Sequence, residues 1–233
     1  MELEEYQLRQ AIIDQCLWMN AKGLNQGNSG NISARYKNQL IITPTAMAYE
    51  AMRPEMLATI SLDDQAEWQG SHQPSSEWRF HYDLMRARPE IGAIVHTHST
   101  YATSLAITRR SIPAVHYMIA LFGGNDVRCA DYATYGTQAL SNHVLVAMQD
   151  RKACLLANHG MLVAGETLAK AMWLASELET LAEQYYHALQ LGGAVILSDE
   201  QMAEVQAKLA NYGLNQALTN PESASTKSAT TLK

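Results

Sequence analysis

Two histidines one residue apart, His96 and His98, close the apolar run Ile91-Gly92-Ala93-Ile94-Val95. A run of this kind reads as a buried strand, and strand side chains alternate faces, so both imidazoles point to the same side. At a strand end such a pair can share a divalent ion or simply be satisfied by hydrogen bonds, and further ligands decide between the two. Two other stretches offer them. Ala153-Cys154-Leu155-Leu156-Ala157-Asn158-His159-Gly160 reads as a second buried strand that ends in His159 and continues through Met161-Leu162-Val163-Ala164; its glycine permits a tight turn or a close approach. Pro74-Ser75-Ser76-Glu77 reads as a helix start with a serine N-cap and Glu77 in the first turn, followed by the helical pattern Trp78, His81, Tyr82, Met85. Three imidazoles and one carboxylate make a donor set for a borderline ion such as zinc.

A second group of residues suits an anion. Asn25-Gln26-Gly27-Asn28-Ser29-Gly30-Asn31 is rich in residues that tolerate left-handed backbone, so its N–H groups can line a concavity; an ordinary turn is the plainer account. No Gly-Lys-Ser/Thr follows, which excludes a Walker loop. Thr43 and Thr45 add hydroxyls beside Pro44, and Ser75 and Ser76 stand where a helix presents free N–H groups and the positive end of its dipole.

These residues need a scaffold, and the chain supplies one. Helices are expected over residues 3–22, 77–88, 99–107, 136–149, 167–191 and 199–212, and strands over 32–36, 39–44, 57–61, 66–69, 91–98, 112–119 and 153–164. In the first helix Leu3, Tyr6, Ile13 and Leu17 form one apolar row and Ile12, Cys16 and Met19 another. The first two strands form a hairpin through Lys37-Asn38, which points to a mixed or antiparallel sheet covered by helices. Tryptophans and methionines follow helical stripes and are assigned to the core. His81, one turn after Glu77, either orients it or packs; His72, His143 and His187 read as surface or satisfied histidines.

Composition narrows the class. A chain of 233 residues, 47% hydrophobic and 17% charged, is globular, with residues 1–215 as one domain and 216–233 as a disordered tail. No apolar run reaches the ~20 residues that span a bilayer, and the acidic start Met1-Glu2-Leu3-Glu4-Glu5 is unlike a secretory signal. Three scattered cysteines fit reduced thiols in a cytoplasm. A net charge of −6 leaves no broad basic surface for nucleic acid, and an anionic substrate must be held largely by backbone N–H groups and hydroxyls.

Together, Gly30-Asn31-x-Ser33, Thr43-Pro44-Thr45, Ser75-Ser76-Glu77, His96-x-His98 and Asn158-His159-Gly160 resemble the class II aldolase/adducin family, over roughly residues 8–213. Segments 111–120, 131–136 and 211–213 resemble its fuculose-phosphate branch. The resemblance implies a three-layer α/β/α fold with a mixed, largely antiparallel central sheet, and a cyclic homotetramer with sites between subunits. It also implies one zinc per subunit on His96, His98 and His159, with Glu77 as a further ligand that leaves the metal to serve as acid/base. Phosphate contacts carry over to Gly30, Asn31, Thr45, Ser75 and Ser76. Tyr117 of a neighbouring subunit would serve the aldehyde oxygen, and Tyr135 and Tyr212 would lie near the substrate. The reaction implied is reversible cleavage of a ketose 1-phosphate, L-fuculose 1-phosphate or a similar deoxy-sugar phosphate, to dihydroxyacetone phosphate and an aldehyde. Glutamate after the paired serines is the aldolase pattern, whereas the related 4-epimerases carry aspartate.

Alternatives on the same fold are a metal-dependent dehydratase or epimerase, which would keep the histidines, and a non-catalytic adducin-like scaffold, which would be expected to lose ligands that this chain keeps. Two positions depart from the fuculose-phosphate pattern: Ala46 stands where glycine follows Thr-Pro-Thr, and Tyr135 where phenylalanine is usual. Tyr117 is expected beside an apolar patch of Met118, Ile119 and Leu121 of the kind that marks an interface.

Overall fold

The computed structural model describes residues 1–63 and 66–210. Strands β1 (Asn31–Tyr36), β2 (Gln39–Ile42), β3 (Ala58–Ser61), β4 (Trp68–Gln69), β5 (Ala93–Thr97), β6 (Arg128–Ala130), β7 (Ala153–Leu156) and β8 (Gly160–Gly165) form one sheet in the order β4-β3-β2-β1-β5-β8-β7-β6. Every neighbouring pair is antiparallel except β6 with β7. Helices α1 (Leu3–Ala21), α2 (Trp78–Ala87), α3 (Thr100–Ile107), α4 (Gln138–Ala147), α5 (Leu168–Gln190) and α6 (Asp199–Ala210) cover it.

Strand alternation sorts the core into two layers. Val95, Ile32 and Val163 pack with Ile12, Leu105 and Leu178 of α1, α3 and α5 on one face. Ile94, Leu162 and Leu156 pack with Phe80, Leu84 and Val144 of α2 and α4 on the other. The fold is therefore α/β/α around a mixed, largely antiparallel sheet, as the sequence led one to expect. By the same alternation Asn31, Ser33 and His96 share the face covered by α2, and Phe80 meets the His96 ring edge-on at 5.6 Å.

Several expectations need correction. Residues 112–119 do not form a strand: Ile112 makes one bridge to Val127, and Tyr117–Phe122 wind into a 3-10 helix. Pro113 lacks an N–H for a ladder, and His116 Nδ1 instead accepts from the Met118 N–H, which favours a turn. Ile119 is fully buried and so contributes nothing to a surface patch. The 153–164 run is a hairpin rather than one strand: Leu156 pairs with Gly160 across Ala157-Asn158-His159, and Asn158 adopts φ 56°. The serine N-cap is absent, because α2 starts at Trp78 with Glu77 in the capping position; Ser75 Oγ accepts from the Glu77 N–H at 3.3 Å.

In α1 the row Ile12, Ile13, Cys16 and Met19 is buried, while Leu3, Tyr6 and Leu17 face outward. Trp18, Trp68 and Trp173 are likewise substantially exposed rather than core, and Trp173 lies under the Lys170 ammonium. Strand β6 was not foreseen from its three residues. Tyr212, Gly213 and the tail expected from 216 lie outside the described residues.

Candidate active site

Strand β5 delivers His96, and two residues on His98 emerges on the same side. Their Nε2 atoms are 3.1 Å apart. The β7–β8 turn brings His159 to the pair, with its ring centroid 4.8 Å from that of His96 and 4.9 Å from that of His98. Gly160 makes this approach possible: a Cβ there would sit 2.5 Å from the Thr97 carbonyl oxygen and 2.9 Å from His98 Cδ2. Glu77, buried at the head of α2, completes the cluster, with Oε2 3.2 Å from His96 Nε2 and Oε1 3.1 Å from His159 Nε2.

The arrangement fits a cation. The three imidazoles offer ligand atoms that all lie within 4.8 Å of one another. His96 Nδ1 is 2.9 Å from the Met161 carbonyl oxygen, which can only accept, so the ring proton sits on Nδ1 and Nε2 presents a bare lone pair. That nitrogen faces a carboxylate oxygen at 3.2 Å, a repulsive pairing unless a proton or a metal ion lies between them. Glu77 Oε1 is buried with no hydrogen-bond partner, its approach to His159 lying outside hydrogen-bond geometry; a buried orphan oxygen of this kind is what a missing ligand leaves behind. Burial works against ionisation of Glu77, but His96 and His159 outweigh it and hold the carboxyl well below the usual carboxylate range. Burial, aided by His96 and His159, lowers His98 to about 4, so that imidazole is neutral and able to ligate.

The residues expected from the sequence to hold phosphate come together on three adjoining segments. Thr43 N–H donates to the Ile32 carbonyl at 3.2 Å, Ser75 N–H to the Thr43 carbonyl at 2.9 Å, and Thr45 N–H to the Gln73 carbonyl at 3.1 Å. Gly30, Asn31, Thr45, Ser75 and Ser76 are thereby gathered beside Glu77. Gly30 is needed for close approach rather than for a left-handed turn: a Cβ would lie 2.8 Å from the His96 carbonyl oxygen, whereas Gly27 carries the positive φ of 66°. Ala46, just past Thr45, adopts φ 52°, a region where glycine is at ease and alanine is strained. Tyr135 is 65% exposed, and the following Gly136 would set a Cβ 2.7 Å from the Ser76 carbonyl oxygen, so this segment lies over the paired serines. Tyr117 is 52% exposed with its ring 4.6 Å from His116; among the described residues nothing ties it to the histidine cluster of its own chain.

Some positioning residues were not singled out from the sequence. Asn25 accepts from the His98 N–H at 3.3 Å, and Tyr49 donates to the Gly30 carbonyl at 2.6 Å, which locks the glycine-rich loop to the end of β5. Glu179 of α5 accepts from Ser99 Oγ at 2.7 Å and from the Tyr101 and Ala102 N–H groups at 2.8 and 2.9 Å, capping α3 immediately after His98. None of these contacts is local in sequence, and no residue type or spacing announced them.

Comparison with known proteins agrees with this geometry. The family described as Class II Aldolase and Adducin N-terminal domain matches residues 10–186. A 5-methylthioribulose-1-phosphate/5-deoxyribulose-1-phosphate aldolase of Rhodospirillum rubrum is 47% identical over 214 residues, covering 92% of this chain and 96% of that protein. An L-fuculose phosphate aldolase of Escherichia coli is 45% identical over 213 residues, covering 91% and 98%. Among solved structures, an L-fuculose 1-phosphate aldolase superposes with a TM-score of 0.83 at 36% identity, covering 88% of this chain and 96% of that one. With this coverage and this set of converging side chains, the chain belongs to the class II aldolase and adducin family, on its enzymatic side: it is an aldolase, a lyase of the metal-dependent class.

Proposed function

We propose that this enzyme is a zinc-dependent aldolase that reversibly cleaves a ketose 1-phosphate to dihydroxyacetone phosphate and an aldehyde. The observation that carries the proposal is the buried Glu77 carboxyl set against three converging imidazoles, beside five residues able to hold a phosphate. Relatives named for L-fuculose phosphate and for 5-deoxyribulose 1-phosphate match about equally well. We therefore assign as substrate class the ketose 1-phosphates with a deoxygenated distal carbon, which release a short aldehyde with an apolar end.

In this mechanism Gly30, Asn31, Thr45, Ser75 and Ser76 hold the phosphate through backbone N–H groups and hydroxyls. His96, His98, His159 and Glu77 hold one zinc per subunit, a nitrogen-and-oxygen set suited to that ion. The bound ion supplies Lewis-acid stabilisation of the negative charge that develops on the ketose oxygens, worth several kcal/mol. Glu77 takes the proton from the hydroxyl-bearing carbon of dihydroxyacetone phosphate in the synthetic direction and returns it in cleavage. Tyr117 of a neighbouring subunit donates to the oxygen of the aldehyde part, and Tyr135 and Tyr212 border that part. Schiff-base chemistry finds no support, since no lysine is buried among the described residues.

The test is a panel of ketose 1-phosphates assayed for dihydroxyacetone phosphate release by the zinc-loaded protein. Release from deoxy members in preference to fully hydroxylated ones is expected, with loss on exhaustive chelation and return with zinc. A product that keeps the sugar carbon skeleton intact would overturn the aldolase assignment in favour of an epimerase or dehydratase.

A further inference from the structure

Beneath Glu77 runs a line of buried polar side chains whose hydrogen bonds to one another the proposed mechanism does not use. Asn31 Nδ2 is 2.9 Å from Glu77 Oε2, Asn31 Oδ1 is 2.6 Å from His81 Nε2, and His81 Nδ1 is 2.8 Å from Ser33 Oγ. His81 and Ser33 are wholly buried and Asn31 nearly so. Phe80 stacks on the His81 ring at 4.8 Å, fixing its plane. These side chains are shut off from bulk solvent, so the direction of each hydrogen bond matters.

The direction is set from one end. Asn31 turns its amide nitrogen, which only donates, to Glu77 Oε2 and its carbonyl oxygen to the imidazole. That carbonyl only accepts, so His81 must carry its proton on Nε2. Nδ1 is then bare and takes the Ser33 hydroxyl proton. Burial, with His96 adding to it, lowers His81 to about 3, which keeps the ring neutral as this pattern demands. Each donor thus meets one acceptor, from Ser33 through His81 and Asn31 to Glu77 Oε2. The other carboxylate oxygen, Oε1, has no hydrogen-bond partner.

We infer that His81 is a positioning residue for the acid/base: by fixing the orientation of the Asn31 amide it ties down Glu77 Oε2 and leaves Oε1 as the oxygen that faces the reaction. The inference rests on the assignment of Glu77 as the group that exchanges protons with dihydroxyacetone phosphate. It adds a role for a histidine that touches neither substrate nor ion. Asn31, which directly follows Gly30, becomes the link between the glycine-rich loop and the base.

Two variants separate positioning from packing. His81→Phe keeps the stacked ring and removes both polar contacts; His81→Gln keeps a donor near the Nε2 position. In the zinc-loaded protein, His81→Phe is expected to lower kcat for proton exchange at dihydroxyacetone phosphate by ~10–100-fold. KM should stay within ~3-fold, because phosphate binding is untouched. His81→Gln should recover most of the rate. In the metal-free protein, NMR should show His81 protonated at Nε2 and bare at Nδ1. One Asn31 amide proton should be protected from solvent in the wild type and in His81→Gln, and unprotected in His81→Phe. An Nδ1–H tautomer, a wild-type rate in His81→Phe, or equal loss in both variants would each overturn the inference. Should His81→Phe fail to fold, the wild-type tautomer and the His81→Gln rate decide it. A wild type with no exchange at all would sink the role of Glu77, and the tautomer and amide protection would then judge the hydrogen-bond chain by itself.

Discussion

Glu77→Gln preserves the size of the side chain and removes its charge and its basicity. The variant should keep its fold and bind zinc through the three imidazoles, while proton exchange at dihydroxyacetone phosphate falls by ~10²–10⁴-fold, the usual weight of a general base. Isotope exchange alongside metal analysis checks both halves, and unchanged exchange would move the acid/base role elsewhere. Ala46 makes a different kind of contribution. At φ 52° an L-residue costs roughly 1–2 kcal/mol, and glycine relieves it at an unfolded-state cost of about 0.5–1 kcal/mol. Ala46→Gly should therefore stabilise the protein by a few tenths to about 1 kcal/mol in denaturant titration. A loss of stability would mean that the alanine methyl contributes packing that outweighs its strain.

Among the elements, the β5–β8 pairing governs the ion site. Met161 lies opposite Thr97, and Gly160 follows His159 at the point where the hairpin turns against β5. An added methyl at Gly160 meets a backbone carbonyl at 2.5 Å, which cannot swing aside as a flexible side chain could. Gly160→Ala should push β8 from β5 and withdraw His159, weakening zinc binding at least ~10-fold and costing about 1–3 kcal/mol, the range for overpacking a tight site. Competition with a chelator of known affinity measures the first effect and thermal unfolding of metal-free protein the second. Zinc affinity equal to that of the wild type would show that the turn can shift without moving the imidazole.

For the whole molecule, acid stability follows from one buried and one half-buried imidazole. Burial and the neighbouring His96 depress His81 to about 3 and His98 to about 4, against an ordinary 6.5. Below pH 6.5 the unfolded chain binds protons that the folded chain refuses, so stability should fall as the pH drops. The slope should approach two protons between about pH 6 and 4, and one proton from there to about pH 3. Glu77 acts in the same sense lower down: with its folded value depressed, its contribution is present above the unfolded carboxylate range and is lost on further acidification. Denaturant midpoints of metal-free protein across this range test the prediction, and a flat profile would contradict it.

The assembly is also a whole-molecule question. Tyr117, Tyr132, Tyr135, Ile107 and Val146 are each more than half exposed, apolar or aromatic side chains of the kind that a second copy would cover. With Tyr117 untied to the histidines of its own chain, mixing inactive Glu77→Gln chains with inactive Tyr117→Phe chains should restore activity. At random mixing up to about a quarter of interfacial sites would carry both groups intact. No recovery in oligomers shown to be mixed would place Tyr117 outside its neighbour's site.

How much of this was legible in the sequence depends on the range of the physics. Period-two alternation is local, so the shared face of His96 and His98 was readable from five apolar residues. The glycine after His159, which lacks a Cβ, announced either a tight turn or a close approach. The helix–strand outline followed from periodicity and breakers, and the family motifs named the set that belongs together. Which side chains meet is another matter. Glu77, His96 and His159 converge only because β1, β5 and β8 are neighbours in the sheet order while α2 covers that face. The 3-10 turn at Tyr117 and the outward face of α1 were misread, because an apolar segment looks the same whether a strand, a turn or an interface buries it. The left-handed conformation of Ala46 cannot be read from the residue type, since alanine disfavours it and only the surrounding chain imposes it. The hydrogen-bond chain through Ser33, His81, Asn31 and Glu77 joins residues up to 50 positions apart, and its direction follows from acceptor and donor capacities that matter only once burial has excluded water.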